Sequence, residues 1–279
     1  MRRRHLGIII LGTCGLVWTW LAACVDGQAP AQKPPVQPPA VQPPAVQPQA
    51  AQAAPKVTPL EQGILWLHEA RRNYGAVKDY TCTMISRENV KGKLKEENIV
   101  QMKFRVQPFS VYMRWIAPSD SRGQEVAFVA GKNNNMMRVH SKGLLKGAIG
   151  FVSIDPNDPR VMEHSRHTIH EAGLGKLIDA TLVYWEHDRK IGRTETRIAE
   201  YDYDNRRCLR IENVRAERRP EYYAHRSVLY LDKDSKLPIR NENYSWPRQG
   251  GPATGELMEV YSYVDLRFNV GLTEKDFNK

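Results

Sequence analysis

The motifs of common enzymes are what this sequence lacks. No Gly-x-Ser-x-Gly elbow occurs, which removes the usual strand-to-helix serine nucleophile. A full GxxxxGK[ST] loop is missing; Gly173-Leu174-Gly175-Lys176 resembles part of one, and at the start of a helix its glycines read as packing. Beyond the first five residues there is no unbroken basic run of more than two, and there is no RNA-type aromatic motif, so the lysines and arginines are scattered among acids. That pattern is a solvated surface and excludes a nucleic-acid stripe. Strand and helix patterns do not alternate, which excludes a doubly wound sheet.

What is present begins at the N-terminus. Arg2, Arg3, Arg4 and His5 precede an apolar run from Leu6 to Ala23, the layout of a secretory signal over residues 1–23. Leu21-Ala22-Ala23-Cys24 has the form of a lipobox, in which the cysteine is acylated and anchors the chain. Cleavage elsewhere, at Ala29-Pro30-Ala31, and a retained helix are the alternatives, and each places the body outside the cytoplasm. Loss of Arg2, Arg3 and Arg4 lowers the charge by three to +7, which suits anionic headgroups or envelope polymers as partners.

Residues 24–56 then form a ribbon in which Pro38-Pro39-Ala40-Val41-Gln42 recurs as Pro43-Pro44-Ala45-Val46-Gln47. Its proline content favours extended polyproline II at about 3.1 Å per residue, a reach on the order of 100 Å. Next to Cys24 it reads as a tether; a plain disordered terminus is the alternative. Once Cys14 and Cys24 are set aside, Cys82 and Cys208 form an even pair in an oxidising compartment. A disulfide between them is expected, against two separate buried thiols.

Residues 57–279 are one domain's worth of chain. Thr58-Pro59 opens a helix that buries Leu60, Ile64 and Leu67 and closes at Gly75. The period then changes to two. Val100, Met102, Phe104 and Val106 alternate with polar neighbours, and Phe109, Val111, Met113 and Trp115 continue to Pro118. Short strands follow at 125–130 and 136–140, then a loop-rich stretch at 143–161 and a second helix from Glu171 to Lys190. Further strands are expected at 194–203, 208–214, 226–231, 237–246 and 256–266. The fold class is mainly β (α+β), about ten antiparallel strands with two helices.

Lys103 to Pro118 (KFRVQPFSVYMRWIAP), Glu125 to Gly131 (EVAFVAG) and Glu259 to Phe277 (EVYSYVDLRFNVGLTEKDF) resemble an uncharacterised bacterial domain family known mostly from planctomycetes. More distantly the chain is similar to the LolA/LolB lipoprotein carriers. The landmarks are Gly92, Pro108-Phe109, Trp115 to Pro118, Gly131, Asn269, Leu272 and Asp276-Phe277. The resemblance implies a curled antiparallel half-barrel whose helices cover the concave face and close a cavity for an acyl chain, lipid or lipoprotein. The soluble carriers lack an anchor and a proline tether, so this chain is closer to an anchored acceptor.

The expected cavity set is Phe104, Trp115, Phe128, Leu182, Trp185, Tyr230, Trp246 and Tyr261, though for any single aromatic a core position explains it equally well. His164-x-x-His167-x-x-His170 is the one metal candidate, but no carboxylate or cysteine set completes a known zinc signature, so no cofactor is expected. Glu88, Glu96, Glu97, Glu256 and Glu259 are expected on solvated faces, with Glu256 and Glu259 on opposite sides of their strand. The reading is a non-enzymatic, exported binder of acyl chains. A structural envelope protein with a filled barrel and a hydrolase built on His164 are the competing classes.

Overall fold

A computed structural model describes residues 56–140 and 150–279. The expected signal, Cys24 and the proline tether lie outside the described residues. The body is one compact unit, Ala54–Lys279.

The first helix, α1 (Pro59–Tyr74), begins where the sequence places it. The Thr58 hydroxyl accepts from the Glu61 amide at 3.3 Å while the Glu61 carboxylate accepts from the Thr58 amide at 2.8 Å, and proline occupies the first turn. The chain then enters the sheet: β1 (Asp79–Val90), β2 (Lys93–Leu94), β3 (Asn98–Arg105), β4 (Ser110–Ala117), β5 (Glu125–Val129), β6 (Met137–His140) and β7 (Val152–Ile154). After a long connecting segment comes α2 (Leu174–Ile191). The second half follows as β8 (Thr194–Tyr203), β9 (Arg206–Arg215), β10 (Arg226–Asp232), β11 (Pro238–Tyr244) and β12 (Leu257–Phe268).

All pairings are antiparallel, and the strand order is β7-β6-β5-β4-β3-β1-β12-β11-β10-β9-β8, with β2 attached to β1. The sheet is curled and open: among the described residues its edges, β7 and β8, do not pair. Three of the twelve strands lie outside the ranges expected from the sequence: β1, and the two-residue β2 and three-residue β7, which are too short for alternation to register. The central strand β1 joins the halves by pairing with both β3 and β12.

Helix α2 starts three residues later than its sequence pattern. Gly173 has φ +99°, and a Cβ there would sit 2.4 Å from the Phe104 ring. Glu171 instead caps a separate turn with Thr168. A Cβ on Gly175 would likewise meet Tyr74 at 2.5 Å, so these glycines serve close packing of α2 on β3 and α1.

The C-terminal landmarks have structural roles. The Asp79 carboxylate accepts from the amides of Val270, Gly271 and Leu272, and the Asn269 side chain accepts from the Lys78 amide at 2.7 Å. Asp276 pairs with Lys103 at 2.8 Å, and Phe277 packs on Tyr112, Ala127 and Val129 of the outer face. The tail is thereby sewn onto the backs of β3, β4 and β5.

The expected Cys82–Cys208 disulfide is corrected to two free, buried thiols. Cys82 lies on β1 and Cys208 on β9, with β12, β11 and β10 between them. Four interstrand spacings of about 4.8 Å along the sheet separate the two, against a Cα–Cα limit of about 7 Å for a bridge. Burial pushes the Cys82 thiol up to about 12 and the Cys208 thiol up to about 11.

One buried ion pair docks α2 on the sheet. Arg215 donates to both carboxylate oxygens of Asp188, from Nε at 2.8 Å and from a terminal nitrogen, and its other terminal nitrogen reaches the Ala224 carbonyl at 3.1 Å. Asp188 is 1% exposed and Arg215 3%. Asp188→Ala leaves the guanidinium buried without its partner, and unfolding free energy is expected to fall by about 3–5 kcal/mol in a urea titration. Asp188→Leu with Arg215→Met is expected to recover most of that loss. A single variant with an unchanged midpoint would show that the pair carries no structural weight.

Candidate functional site

The concave face of the sheet, the segment 160–173 and α2 enclose a cavity of about 1040 Å³. Its apolar wall comes from inward-pointing positions two apart on successive strands: Met84 on β1, Val100 on β3, Met113 and Trp115 on β4, Val126 on β5, Met137 and Val139 on β6, and Ile154 on β7. Ala172, Leu177 and Trp185 face it from above.

The other end of the cavity is polar, and strand register makes it so. Glu88 on β1 stands opposite Glu259 on β12, and Glu259 opposite Asn243 on β11. The row continues through Ser227 on β10 and Asn213 on β9 to Thr196 on β8. Six adjacent strands thus present polar side chains at one level of the inner face. The next level runs Asn98, Ser86, Tyr261, Asn241 and then turns apolar through Leu229 and Ile211, which pack under Trp185.

Glu88 and Glu259 are 7% and 3% exposed, which corrects the expectation of solvated faces for both. Glu256 stays exposed, just before β12, and the register irregularity opposite Asn243 and Tyr244 interrupts the alternation on which its expected opposition to Glu259 rested. A buried carboxylate must be supplied with donors. Glu259 receives Arg166 Nε at 2.9 Å and His167 Nε2 at 3.0 Å on one oxygen, and the Tyr223 hydroxyl at 2.8 Å and Asn243 Nδ2 at 2.9 Å on the other. Glu88 receives the Tyr261 hydroxyl at 2.6 Å, the Ser165 hydroxyl at 3.2 Å and the Arg166 amide at 2.5 Å.

These contacts fix the titration states. Burial disfavours the Glu259 carboxylate, but the hydrogen bond and charge of His167, with the Asn243 and Tyr223 donors, outweigh it and bring Glu259 down to about 2. Burial also disfavours the His167 imidazolium, and Glu259, helped by Glu171, overcomes that and lifts it to about 9. Burial pushes the Tyr261 and Tyr223 hydroxyls well up, so both remain donors. The inner polar end therefore sets the ionised Glu259 against the Arg166 guanidinium and the His167 imidazolium, with Glu171 on the far side of His167.

The three histidines do not converge. His164 is exposed at the cavity edge, His167 is bound to Glu259, and His170 packs edge-on against Phe128. Among the described residues no cluster of histidine, cysteine and carboxylate groups is arranged to hold a metal.

Of the expected cavity set, Trp115, Trp185 and Tyr261 line the wall. Trp115 is oriented by Nε1 donating to Asn98 Oδ1 at 3.1 Å. Phe104 stacks on Tyr80 at 4.9 Å beneath Gly173, inside the packed core. Phe128 is core between Phe109 and His170, and Leu182 packs between helix and sheet. Tyr230 lies among Tyr201, Tyr203 and Arg240, and Trp246 beside His225 and Arg218. Sequence reasoning missed Arg166, Ser86, Asn241 and Asn243. The inward phase of β1, running Tyr80, Cys82, Met84, carries on to Ser86 and Glu88 and was the available signal.

The family described as "protein of unknown function (DUF1571)" matches residues 77–279. The chain belongs to this DUF1571 family. Among curated proteins none matches it. Solved structures similar to it include a putative outer-membrane lipoprotein-sorting protein domain from Vibrio parahaemolyticus, 14% identical over 78% of this chain and 97% of that one, TM-score 0.36. A LolA superfamily protein from Nitrosomonas europaea is 12% identical over 78% and 97%, TM-score 0.36. The Mycobacterium tuberculosis lipoprotein LppX is 8% identical over 75% and 96%, TM-score 0.42. Likeness at this level assigns no ligand to the DUF1571 domain; that rests on the chemistry of the cavity.

The His167–Glu259 contact makes stability depend on pH in a defined direction. His167 ionises at about 9 in the fold against 6.5 ordinarily, so its contribution is complete below pH 6.5 and disappears as pH rises towards 9. Glu259, depressed from 4.5 to about 2, contributes above pH 4.5 and loses its contribution as pH falls towards 2. The Tm advantage of the wild type over His167→Gln is expected to shrink across the alkaline window. A difference that stays constant through that window would contradict the contact.

Proposed function

We propose that this DUF1571 protein is an exported, non-enzymatic binder of acyl chains, holding one in the cavity between the sheet and α2. The observation that carries the reading is a cavity of about 1040 Å³ with one apolar end and one polar end. Small-molecule pockets run to about 1,000 Å³, so the space takes a long amphiphile. Each methylene transferred from water to the wall of Met84, Val100, Met113, Val126, Met137 and Val139 contributes about 0.8 kcal/mol. A filled barrel would need side chains in that space, and the curled sheet and two helices do not supply them.

The wall gives a direct test. Met113 is buried on β4 and faces the cavity, so Met113→Trp adds volume into existing space. Binding of a fatty acyl probe to delipidated protein, followed by tryptophan fluorescence, is expected to weaken by at least ~10-fold, about 1.4 kcal/mol. The melting temperature should barely move. A variant that binds as tightly as wild type places the ligand elsewhere, and no uptake by wild type ends the acyl reading.

Cys24 is the proposed anchor, supported by the Leu-Ala-Ala-Cys frame and the proline ribbon after it. Among the described residues no helix is long and apolar enough to cross a membrane. Cys24→Ser is expected to move the protein from the membrane to the soluble fraction of its host. Equal fractionation of wild type and variant, with identical N-termini by mass spectrometry, would remove the anchor.

A further inference from the structure

The polar end of the cavity is specific about charge. Glu88 and Glu259 are both buried there, and every carboxylate oxygen of the pair already accepts a donor from Arg166, His167, Tyr223, Asn243, Ser165 or Tyr261. Two negative and two positive groups cancel. A ligand carboxylate or phosphate brought to this level would meet two buried carboxylates with no cation left to pair with it, in a medium where unpaired charge is costly. A ligand ammonium would find all the lone pairs of Glu259 taken and a single one open, on Glu88 Oε2.

Neutral groups remain open one level further in. Ser86, 3% exposed, and Asn241 line the cavity, and neither side chain takes part in the hydrogen bonds that occupy Glu88 and Glu259. Asn98 uses its carbonyl for Trp115 and keeps its amide NH2 for the cavity it lines. Register sets the three in one row with Tyr261, on β3, β1 and β11 around β12. That row offers a hydroxyl, a full carboxamide and an NH2, directly above the apolar wall of Met84, Val100 and Trp115.

We propose that Ser86, Asn98 and Asn241 form a headgroup site for an uncharged amphiphile, one whose head bears hydroxyl or amide groups, bound head-inward with its chain along the apolar wall. The site rests on the acyl-binding reading and adds the class of head. Rim charges do not alter it: the lining carries two lysines, Lys95 and Lys176, and two acids, Glu96 and Asp120, while Asp179 is paired with Arg71 at 2.7 Å and Arg160 with Asp158 at 2.6 Å.

The test compares probes of one chain length at neutral pH on protein purified from its host and delipidated. The probes are a monoacylglycerol, an N-acyl amide, a fatty acid anion and an alkylamine. The two uncharged probes are expected to bind about tenfold or more tightly than either ion, and Asn241→Leu is expected to erase that preference while the fatty acid affinity stays unchanged. Ser86→Ala, a smaller change, should reduce the preference in the same direction and serves if Asn241→Leu does not fold. Equal binding of all four probes, tighter binding of an ion, or a preference untouched by both variants overturns the headgroup site and leaves acyl binding standing. Failure of every probe overturns both.

Discussion

Glu259 is a carboxylate, 3% exposed, on the inner wall of a curled sheet, and the cover of the cavity is built around keeping it ionised there. Its four donors come from three places: Arg166 and His167 on the segment before α2, Tyr223 on the β9–β10 connection, and Asn243 on β11. Satisfying one charge thus fixes the position of two connections that would otherwise be free to move over the mouth. Tyr184 of α2 stacks on Tyr223 at 5.0 Å, which passes the constraint to the helix. Asp188 and Arg215 fix the same helix a turn further on. A purely apolar cover would gain by sinking onto the sheet; one tied through oriented hydrogen bonds holds its height. The cavity persists because the contacts at its polar end are directional.

Much of the scaffold was legible because local chemistry and global packing agree along it. Thr58, Pro59 and Glu61 state a helix start without reference to anything distant, and the structure obeys them. The strands from Asn98 to Val129 read correctly because Met102, Phe104, Val111 and Phe128 all face a packed interior. In β1 that agreement fails. Its inward positions include Ser86 and Glu88, so hydrophobic alternation fades halfway along and the sequence pattern marks no strand range there. The strand on which both halves of the sheet depend was therefore the least visible in composition.

The site was less legible for a related reason. Sequence separates polar from apolar, but it does not say which face of a strand curls inward, nor where a wall gives way to packed core. Phe104 and Trp115 lie on the same inward phase within two neighbouring strands, yet Phe104 is covered by Gly173 and α2 while Trp115 stands at the cavity. Glu88 and Glu259 looked solvated because a carboxylate usually is. The donors that Ser165 gives to Glu88 and Arg166 to Glu259 lie 77 and 93 residues away in the chain, a distance over which no local pattern speaks. Cys82 and Cys208 had matching parity and compartment, but parity carries no information about the three strands between them.

The surface and the interior of this protein obey different electrostatics. The chain carries +10 overall, spread over a solvated exterior where salt screens it within about 10 Å. Inside the half-barrel, each buried acid is answered by a buried base or by oriented neutral donors, so the cavity carries little of that charge. The polar level from Glu88 to Thr196 and the apolar wall from Met84 to Ile154 lie on one continuous sheet, and the register of antiparallel pairing alone keeps them apart. A one-residue slip in β12 would turn Glu259 outward and a neighbour of the wrong polarity inward, so the donor set around Glu259 fixes register as well as the cover.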